Sequence, residues 1–449
     1  VGKLAAVALL AMLLLIPLGM IQDQIAQRGR YQKRVTEEIA GTAAGRQTWI
    51  GPLLAIRYRT QSTERFRDTN TGEIVSRENE QIAFVPARTL AIEGRADVER
   101  RYRGIYQARL FHLDLMADGE FSVPAEIVEG AGEIVEAHAV MLLGISDLRG
   151  VDAEPEALID QRSLRFSTPK DKRFDAILPG SRLELDLGAL TPGEARRIRF
   201  SLPLRLTGTE SFSLAPTAEN NSLRLQSGWR HPSFQGRFLP RSREVSDDGF
   251  GALWEVSQLA RDLKKTLDPH TSEVLSVAFL DPVNIYLQSE RAVKYGSLFI
   301  ALTFAAFFLG EVLRRRPMHI LQYLLVGLSL AIFFLLLIAL SEHLPFLSAY
   351  LVSAGACIGL IVFYLAGAFD AWRPAFAFGA GLTGLYAMLY VILQLEDKAL
   401  LMGSLLLFAA LAAIMLGTRR FDWYGWVGEN KDAPRFRERQ TWASAGEEQ

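Results

Sequence analysis

Hydrophobic and polar positions divide the chain into stretches of different period. From Tyr295 to Leu416 apolar residues run almost unbroken in five blocks: Gly296–Leu313, Ile320–Leu340, Pro345–Ala368, Pro374–Leu395 and Ala399–Leu416. Each is about long enough to cross a bilayer core as a helix. The gaps between them are short and hold the charges: Arg314-Arg315-Arg316, Glu342-His343, Asp370 with Arg373, Glu396-Asp397-Lys398 and Arg419-Arg420. Such short connections predict antiparallel neighbours in one bundle. A further apolar run, Leu4–Ile21, follows the single cation Lys3. It lacks a small-residue cleavage site before Gln22 and is long for a signal core, so an uncleaved anchor is expected.

Between these ends the pattern is that of a water-soluble domain. Gln22–Gly45 is polar and free of proline, which predicts a helix ending near Gly41 or Gly45. From Trp49 the period falls towards two. Strands are expected in Pro52–Arg59, Gln81–Pro86, Leu90–Glu93, Gly104–Leu115, Phe121–Val123, Ala139–Ile145, Arg182–Leu187, Arg196–Leu206, Ser211–Leu214 and Ser276–Leu280. Arg182–Leu187 alternates strictly, polar then apolar. Helices are expected at Ser257–Leu267, closed by Asp268-Pro269, and at Val283–Lys294, running straight into Gly296 as a rigid junction. The fold class is therefore membrane α+β. One transmembrane helix (1–21) precedes a large β-rich, antiparallel, sandwich-like domain (22–294), a bundle of five transmembrane helices (295–418) and a polar tail (419–449).

Charge fixes an orientation. Arg314–Arg316, Arg373 and Arg419-Arg420 fall on alternate connections, all on one side. Placing them in the cytoplasm puts both termini there and residues 22–294 outside the cytoplasm. The net charge of −1 gives no argument for nucleic acid. The one cysteine, Cys357, lies in an apolar block, so the soluble domain can form no disulfide and must rely on its core.

Several stretches resemble the CreD family of bacterial inner-membrane, cell-envelope integrity proteins. They include Trp49-Ile50-Gly51-Pro52-Leu53-Leu54-Ala55-Ile56, Gly104-Ile105-Tyr106 with His112-Leu113-Asp114-Leu115, and Trp229 to Pro240 followed by Arg241–Ser246. In the apolar part they are His319 to Leu330, Leu340-Ser341-Glu342-His343 and Arg419-Arg420-Phe421-Asp422-Trp423-Tyr424. They keep their order along nearly the whole chain. The resemblance implies one N-terminal helix, a large periplasmic domain and a C-terminal bundle. It also implies a place in envelope stress and β-lactam response, without catalytic residues to carry over.

The candidate sites each have two readings. Trp229–Pro240 gathers Trp229, Arg230, His231, Phe234, Arg237 and Phe238 between prolines and a glycine, and reads as a loop. It either binds a glycan, a lipid headgroup or a partner protein through aromatic faces and guanidinium groups, or plugs the core with Phe234 and Phe238. His112 and Asp114 share a strand face and are half of a metal site, or a solvated face; His138 and His231 are far off in sequence. Glu342 and His343 are a polar site at the outer membrane interface, or a hairpin that ends two helices. Glu311 is expected to pair with Arg314 or Arg315. Gly355-x-x-x-Gly359, Ala377-x-x-x-Gly381 and Ala380-x-x-x-Gly384 are expected to let helices pack closely, within the bundle or in a homodimer.

No nucleotide loop, GxSxG, HExxH or paired-cysteine motif occurs. No cofactor or metal is expected, and no residue stands out as catalytic. Partners expected are the lipid bilayer and an envelope component or protein. The leading function is a non-enzymatic inner-membrane protein that supports envelope integrity through its periplasmic domain. A transporter or lipid-handling bundle is the alternative. A periplasmic cell-wall hydrolase, needing converging carboxylates or a nucleophile–base pair, comes third.

Overall fold

The computed structural model describes residues 2–61, 66–67, 74–75, 78–127, 134–176, 178, 181–267, 273–280, 285–314, 318–394 and 399–419. The expectations for Asp268-Pro269, Glu396–Lys398 and the polar tail beyond Arg419 lie outside them. The chain forms two units, Val1–Gln27 with Ile285–Gln449, and Arg28–Asn284.

In the first unit, α1 (Gly2–Thr42) contributes its part up to Gln27. In the second, the strands are β1 (Gln47–Gln61), the short β2 (Phe66–Arg67) and β3 (Ile74–Val75), β4 (Glu78–Arg103), β5 (Tyr106–Val123) and β6 (Ile134–Ile145). Next come β7 (Glu156–Ile159), β8 (Arg162–Arg165), β9 (Arg182–Leu190), β10 (Arg196–Thr209), β11 (Ser211–Ala215) and β12 (Asn220–Ser227). Then follow β13 (Pro232–Gly236), β14 (Ser242–Ser246), β15 (Gly249–Ser257), the one-turn α2 (Leu263–Leu267) and β16 (Leu275–Phe279).

Fourteen of these strands join in one hydrogen-bonded network. It is mixed rather than antiparallel, because β11 runs parallel to β1 and β12 parallel to β4. The 26-residue β4 links two halves: up to Pro86 it pairs with β1, and beyond that with β5 and β12. One core serves both. Trp49, Leu54 and Ile56 of β1 and Met141 of β6 share a buried cluster with Phe111 of β5, Leu202 of β10 and Trp254 of β15. The opposite face of β1 is buried too: Leu53 and Ala55 meet Val140, Leu142, Phe174 and Leu178. Hence Pro52–Ile56 reads as an unbroken apolar run and only later alternates.

The turn from α1 into β1 is held by polar contacts. The Asp147 carboxylate accepts from the Gly45 amide (3.0 Å) and from the guanidinium of Arg149 (2.6 Å), which also donates to the Gly41 carbonyl. Gln47, fully buried, donates to the Asp147 and Thr207 carbonyls, both at 3.0 Å. The part of α1 beyond Arg28 lies on the β4–β5 hairpin. Val35 is buried, Tyr31 stands 4.9 Å from Tyr106 between ring centres, and Glu38 pairs with Arg103. The helix expected over Ser257–Leu267 is instead a 3₁₀ turn, Gln258–Ala260, and α2; extended Arg261 separates them.

The first unit continues with α3 (Ile285–Lys294), α4 (Gly296–Arg314), α5 (Ile320–Ser341), α6 (Phe346–Phe369), α7 (Trp372–Gln394) and α8 (Ala399–Thr418). The five C-terminal apolar blocks are thus all helical. By length and apolarity α1, α5, α6 and α7 each suffice to cross a membrane, and α3 with α4 does so as a pair bent by 42°. That bend, at Tyr295, replaces the straight junction expected there. The described apolar part of α8 is Leu401–Ala412. Leu14 and Leu18 of α1 are buried against Gly327 of α5 and Gly296 of α4, where any Cβ would come within 3 Å of their side chains.

The expected small-residue contacts fall elsewhere. A Cβ on Gly355, Gly359, Gly381 or Gly384 would meet nothing within 4 Å. Close approach occurs at Gly379, where a Cβ would lie 2.4 Å from the Cγ2 of Val362. The spacing of the motif was visible in sequence; the face that packs was not, because α6 and α7 turn other residues inward. Glu311 has described partners outside its own helix. Nearly buried, it accepts from Lys3 and from the Tyr323 hydroxyl (2.8 Å). The side chains of Arg314 and Arg315 lie outside the described set.

Gly379→Leu overpacks the α6–α7 seam and lowers the melting temperature of the detergent-solubilised protein, while Gly359→Leu leaves it unchanged; equal effects would contradict this packing. Asp147 is held down at about 2, chiefly by its hydrogen bond from Arg149, against burial and with help from the Gly45 and Arg149 amides. A carboxyl depressed on folding stabilises fully above its unfolded value near ~4, and that contribution is lost as pH falls through about 2. Asp147→Asn should therefore cost about 1–2 kcal/mol at pH 7, discounted for the exposed Arg149, with the gap to wild type closing in melts below pH ~4.

Candidate functional site

The Trp229–Pro240 segment is not a free loop. Pro232–Gly236 forms β13, paired with β16 at a sheet edge. Proline is admissible there because it begins the strand. Phe234 stands edge-on to Phe250 and Trp254 at 5.7 and 5.6 Å, and Trp229, Phe234 and Phe238 all pack against the main core. The Trp229 indole donates to the carbonyls of His231 and Leu280, both at 3.1 Å. Arg237 reaches Glu273 at 3.0 Å, whose side chain is 7% exposed. Arg230 and His231 face solvent. The aromatic and guanidinium groups are thus spent largely on the domain itself.

Among the described residues the histidines do not converge. His112 Nδ1 lies 2.9 Å from the Thr207 hydroxyl, which donates to Asp152; Asp114 instead faces Arg205 at 3.2 Å. His138 pairs with Asp186 at 2.7 Å. Among the described residues no group of three His, Cys, Asp or Glu is placed to hold a metal. Glu342 ends α5 and accepts from the Tyr286 hydroxyl at 3.4 Å, while His343 is exposed with its amide bonded to the Leu340 carbonyl. That is the geometry of a hairpin closing two helices.

A groove of about 560 Å³ opens instead on the outward face of β12, β4, β5 and β10. Period-two alternation sends every second side chain of each strand to this face. Register then lines them up across the four strands. One row is Arg224, Glu93, Met116 and Pro203; the next is Gln226, Arg95, Asp114 and Arg205. All eight are exposed. Arg205 pairs with Asp114 and Arg224 approaches Glu93 at 3.9 Å. Among the described residues neither Arg95 nor Gln226 has a hydrogen-bond or ionic partner. Of these eight, the strands expected from the sequence hold only Glu93, Asp114, Pro203 and Arg205. The rows need pairing across separations of up to 131 positions, which local alternation does not encode. Asp114 alone is among the candidate site residues, as part of a metal site.

A second cavity, about 390 Å³, lies between α4, α7 and α8 and is apolar. Gly381 and Ala377 line it with Phe378 and Leu406, so the small face of α7 opens onto space rather than onto a helix.

Apolar helices at both ends of a large sheet unit define a multi-pass membrane protein carrying a globular β domain. The chain belongs to the CreD family: the family model described as "Inner membrane protein CreD" matches residues 1–424. It is 34% identical over 427 residues to Inner membrane protein CreD of Escherichia coli K12, covering 92% of this chain and 91% of that protein. Among solved structures it is similar to an M1 zinc metallopeptidase from Deinococcus radiodurans, at TM-score 0.23, 10% identity, and 43% and 42% coverage of this chain and that one. A putative nutrient binding protein from Legionella pneumophila gives TM-score 0.22, 8% identity, and 47% and 82% coverage. Likeness at that level carries no functional argument.

Arg237→Ala leaves the carboxylate of Glu273 nearly buried without its cation. It should destabilise by about 1–3 kcal/mol, whereas Arg230→Ala should stay within about 0.5 kcal/mol. Denaturant melts of the two variants check this, and a silent Arg237→Ala would reopen Arg237 as a binding residue.

Proposed function

We propose that this inner-membrane protein supports envelope integrity without catalysing a reaction, by binding an envelope component or partner protein through its sheet domain. In this reading the termini are cytoplasmic and residues 22–294 periplasmic, which the arginine-rich connections support. The observation that carries it is the groove across β12, β4, β5 and β10. It combines a concave surface, an exposed apolar patch of Met116 and Pro203, and a row of charged groups held loosely in exposed pairs. Loose surface pairs open readily for a ligand. The cavity among the helices is apolar, chemistry that suits lipid rather than a polar solute, so carriage by the bundle ranks second.

A photoreactive amino acid placed at Met116 in living cells tests the proposal. It should yield an adduct with a periplasmic saccharide or protein, identified by mass spectrometry, that the same probe at Leu259, which is 98% exposed, does not give. Adducts only with copies of this chain or with cytoplasmic proteins, or identical adducts at both positions, would overturn it.

A further inference from the structure

We infer that the groove takes a carboxylate-bearing saccharide chain, with Arg95 as its anion anchor and Gln226 beside it. This rests on the reading of the groove as the binding surface and names what it binds.

β4 and β5 each have hydrogen-bonded neighbours on both sides, β12 and β5 for one and β4 and β10 for the other. Their main-chain groups are used, so a peptide cannot add here as an extra strand. Recognition falls to side chains, and these are guanidinium, carboxylate and carboxamide groups, the planar polar set that meets hydroxyls and carboxylates.

Arg95, Arg205 and Arg224 face Glu93 and Asp114, leaving the groove one cation in excess. In the ladder Arg95 lies opposite Asp114 on β5 and Gln226 on β12. Asp114 is already engaged by Arg205 from the other side, at 3.2 Å. The Arg95 guanidinium therefore keeps its donors for an incoming anion, in the forked geometry that fits a carboxylate. Met116 and Pro203, next along the strands, offer an apolar floor to the carbon face of a sugar ring. Four strands span roughly 14 Å at the usual inter-strand spacing, room for a short oligosaccharide laid across them.

The test uses the full chain in lipid nanodiscs and three probes: hexagalacturonate, neutral maltohexaose and hexaglutamate. Hexagalacturonate should bind at least tenfold more tightly than either of the others, and less tightly as salt rises. Arg95→Glu and the milder Arg95→Gln should each weaken it at least tenfold without moving the melting temperature. Arg95→Lys should lose less, keeping the charge but not the fork. Arg162→Glu on β8, outside the groove, should change nothing. Equal binding of maltohexaose removes the anion anchor, and equal binding of hexaglutamate removes the saccharide. Wild-type affinity in Arg95→Glu and Arg95→Gln overturns the assignment outright. If the Met116 probe still captures a periplasmic component while hexagalacturonate does not bind, the groove stands as a surface and only its ligand class falls; if both fail, both readings fall.

Discussion

The sheet domain depends on a strand that is apolar on both faces. Trp49, Leu54 and Ile56 of β1 enter one core, and Leu53 and Ala55 enter another. The leucine and isoleucine side chains among these each contribute on the order of 1.5–3 kcal/mol by leaving water, and with no cysteine in the domain no covalent tie supplements that burial. A strand with one apolar face has its register set by pattern, because a one-residue slip would turn that face to solvent. Over Leu53–Ile56 the pattern gives little such protection: a slip exchanges one apolar set for another. Register has to come from the polar contacts where β1 begins. Buried Gln47 bonds two carbonyls, Thr209 bonds the Ala44 carbonyl, and the Asp147 carboxylate holds the Gly45 amide. Gly150 has the contour this demands, since a Cβ there would lie 2.1 Å from the Thr207 carbonyl oxygen.

The membrane unit solves a different problem. Lipid gives helices little hydrophobic reason to associate, so close fit and polar contacts hold them together. Leu14 and Leu18 of α1 fit against glycines of α5 and α4. At the start of α1, Lys3 bonds both Glu311 and the Met318 carbonyl, and Tyr323 completes the coordination of Glu311. A carboxylate so nearly buried is tolerable only with such partners, and losing one of them would strand a charge. These contacts make α1 a member of the bundle as well as the lead into the sheet domain.

Much of this architecture was legible in the sequence, and its limits have identifiable causes. Apolar blocks separated by short charged gaps gave the helices, and alternation gave most long strands, with Leu90–Glu93 and Gln81–Pro86 merging into the single β4. The sequence pattern does not show β12 to β15 as strands; for β13 and β15 the reason is the Gly and Pro that punctuate Trp229–Pro240 and Gly249–Gly251, and in β13 a proline that opens an edge strand does not end pairing. Glu311 bonds Lys3, 308 positions away, a contact that no local spacing in the sequence indicates. The GxxxG-type spacings were real but faced open space. Distant register, which no single-sequence pattern encodes, also hid the rows that form the groove.

That groove gains meaning from what surrounds it. Farther along the same β4–β5 pair, the end of α1 covers the surface and ties it down through Val35, Tyr31 and Glu38. Beyond that cover, the face carries exposed Met116 and an arginine left without a partner among the described residues. A surface serving only solubility would be expected to mix and pair its charges without exposing a large apolar side chain in their midst. Under the proposed reading, recognition by side chains alone on a solvated face favours modest affinity. Such affinity would suffice for a domain whose own chain is anchored in the membrane, because confinement beside an extended, repetitive ligand raises the effective concentration of every site. A reversible hold of this kind would suit the proposed role in an envelope under continual remodelling.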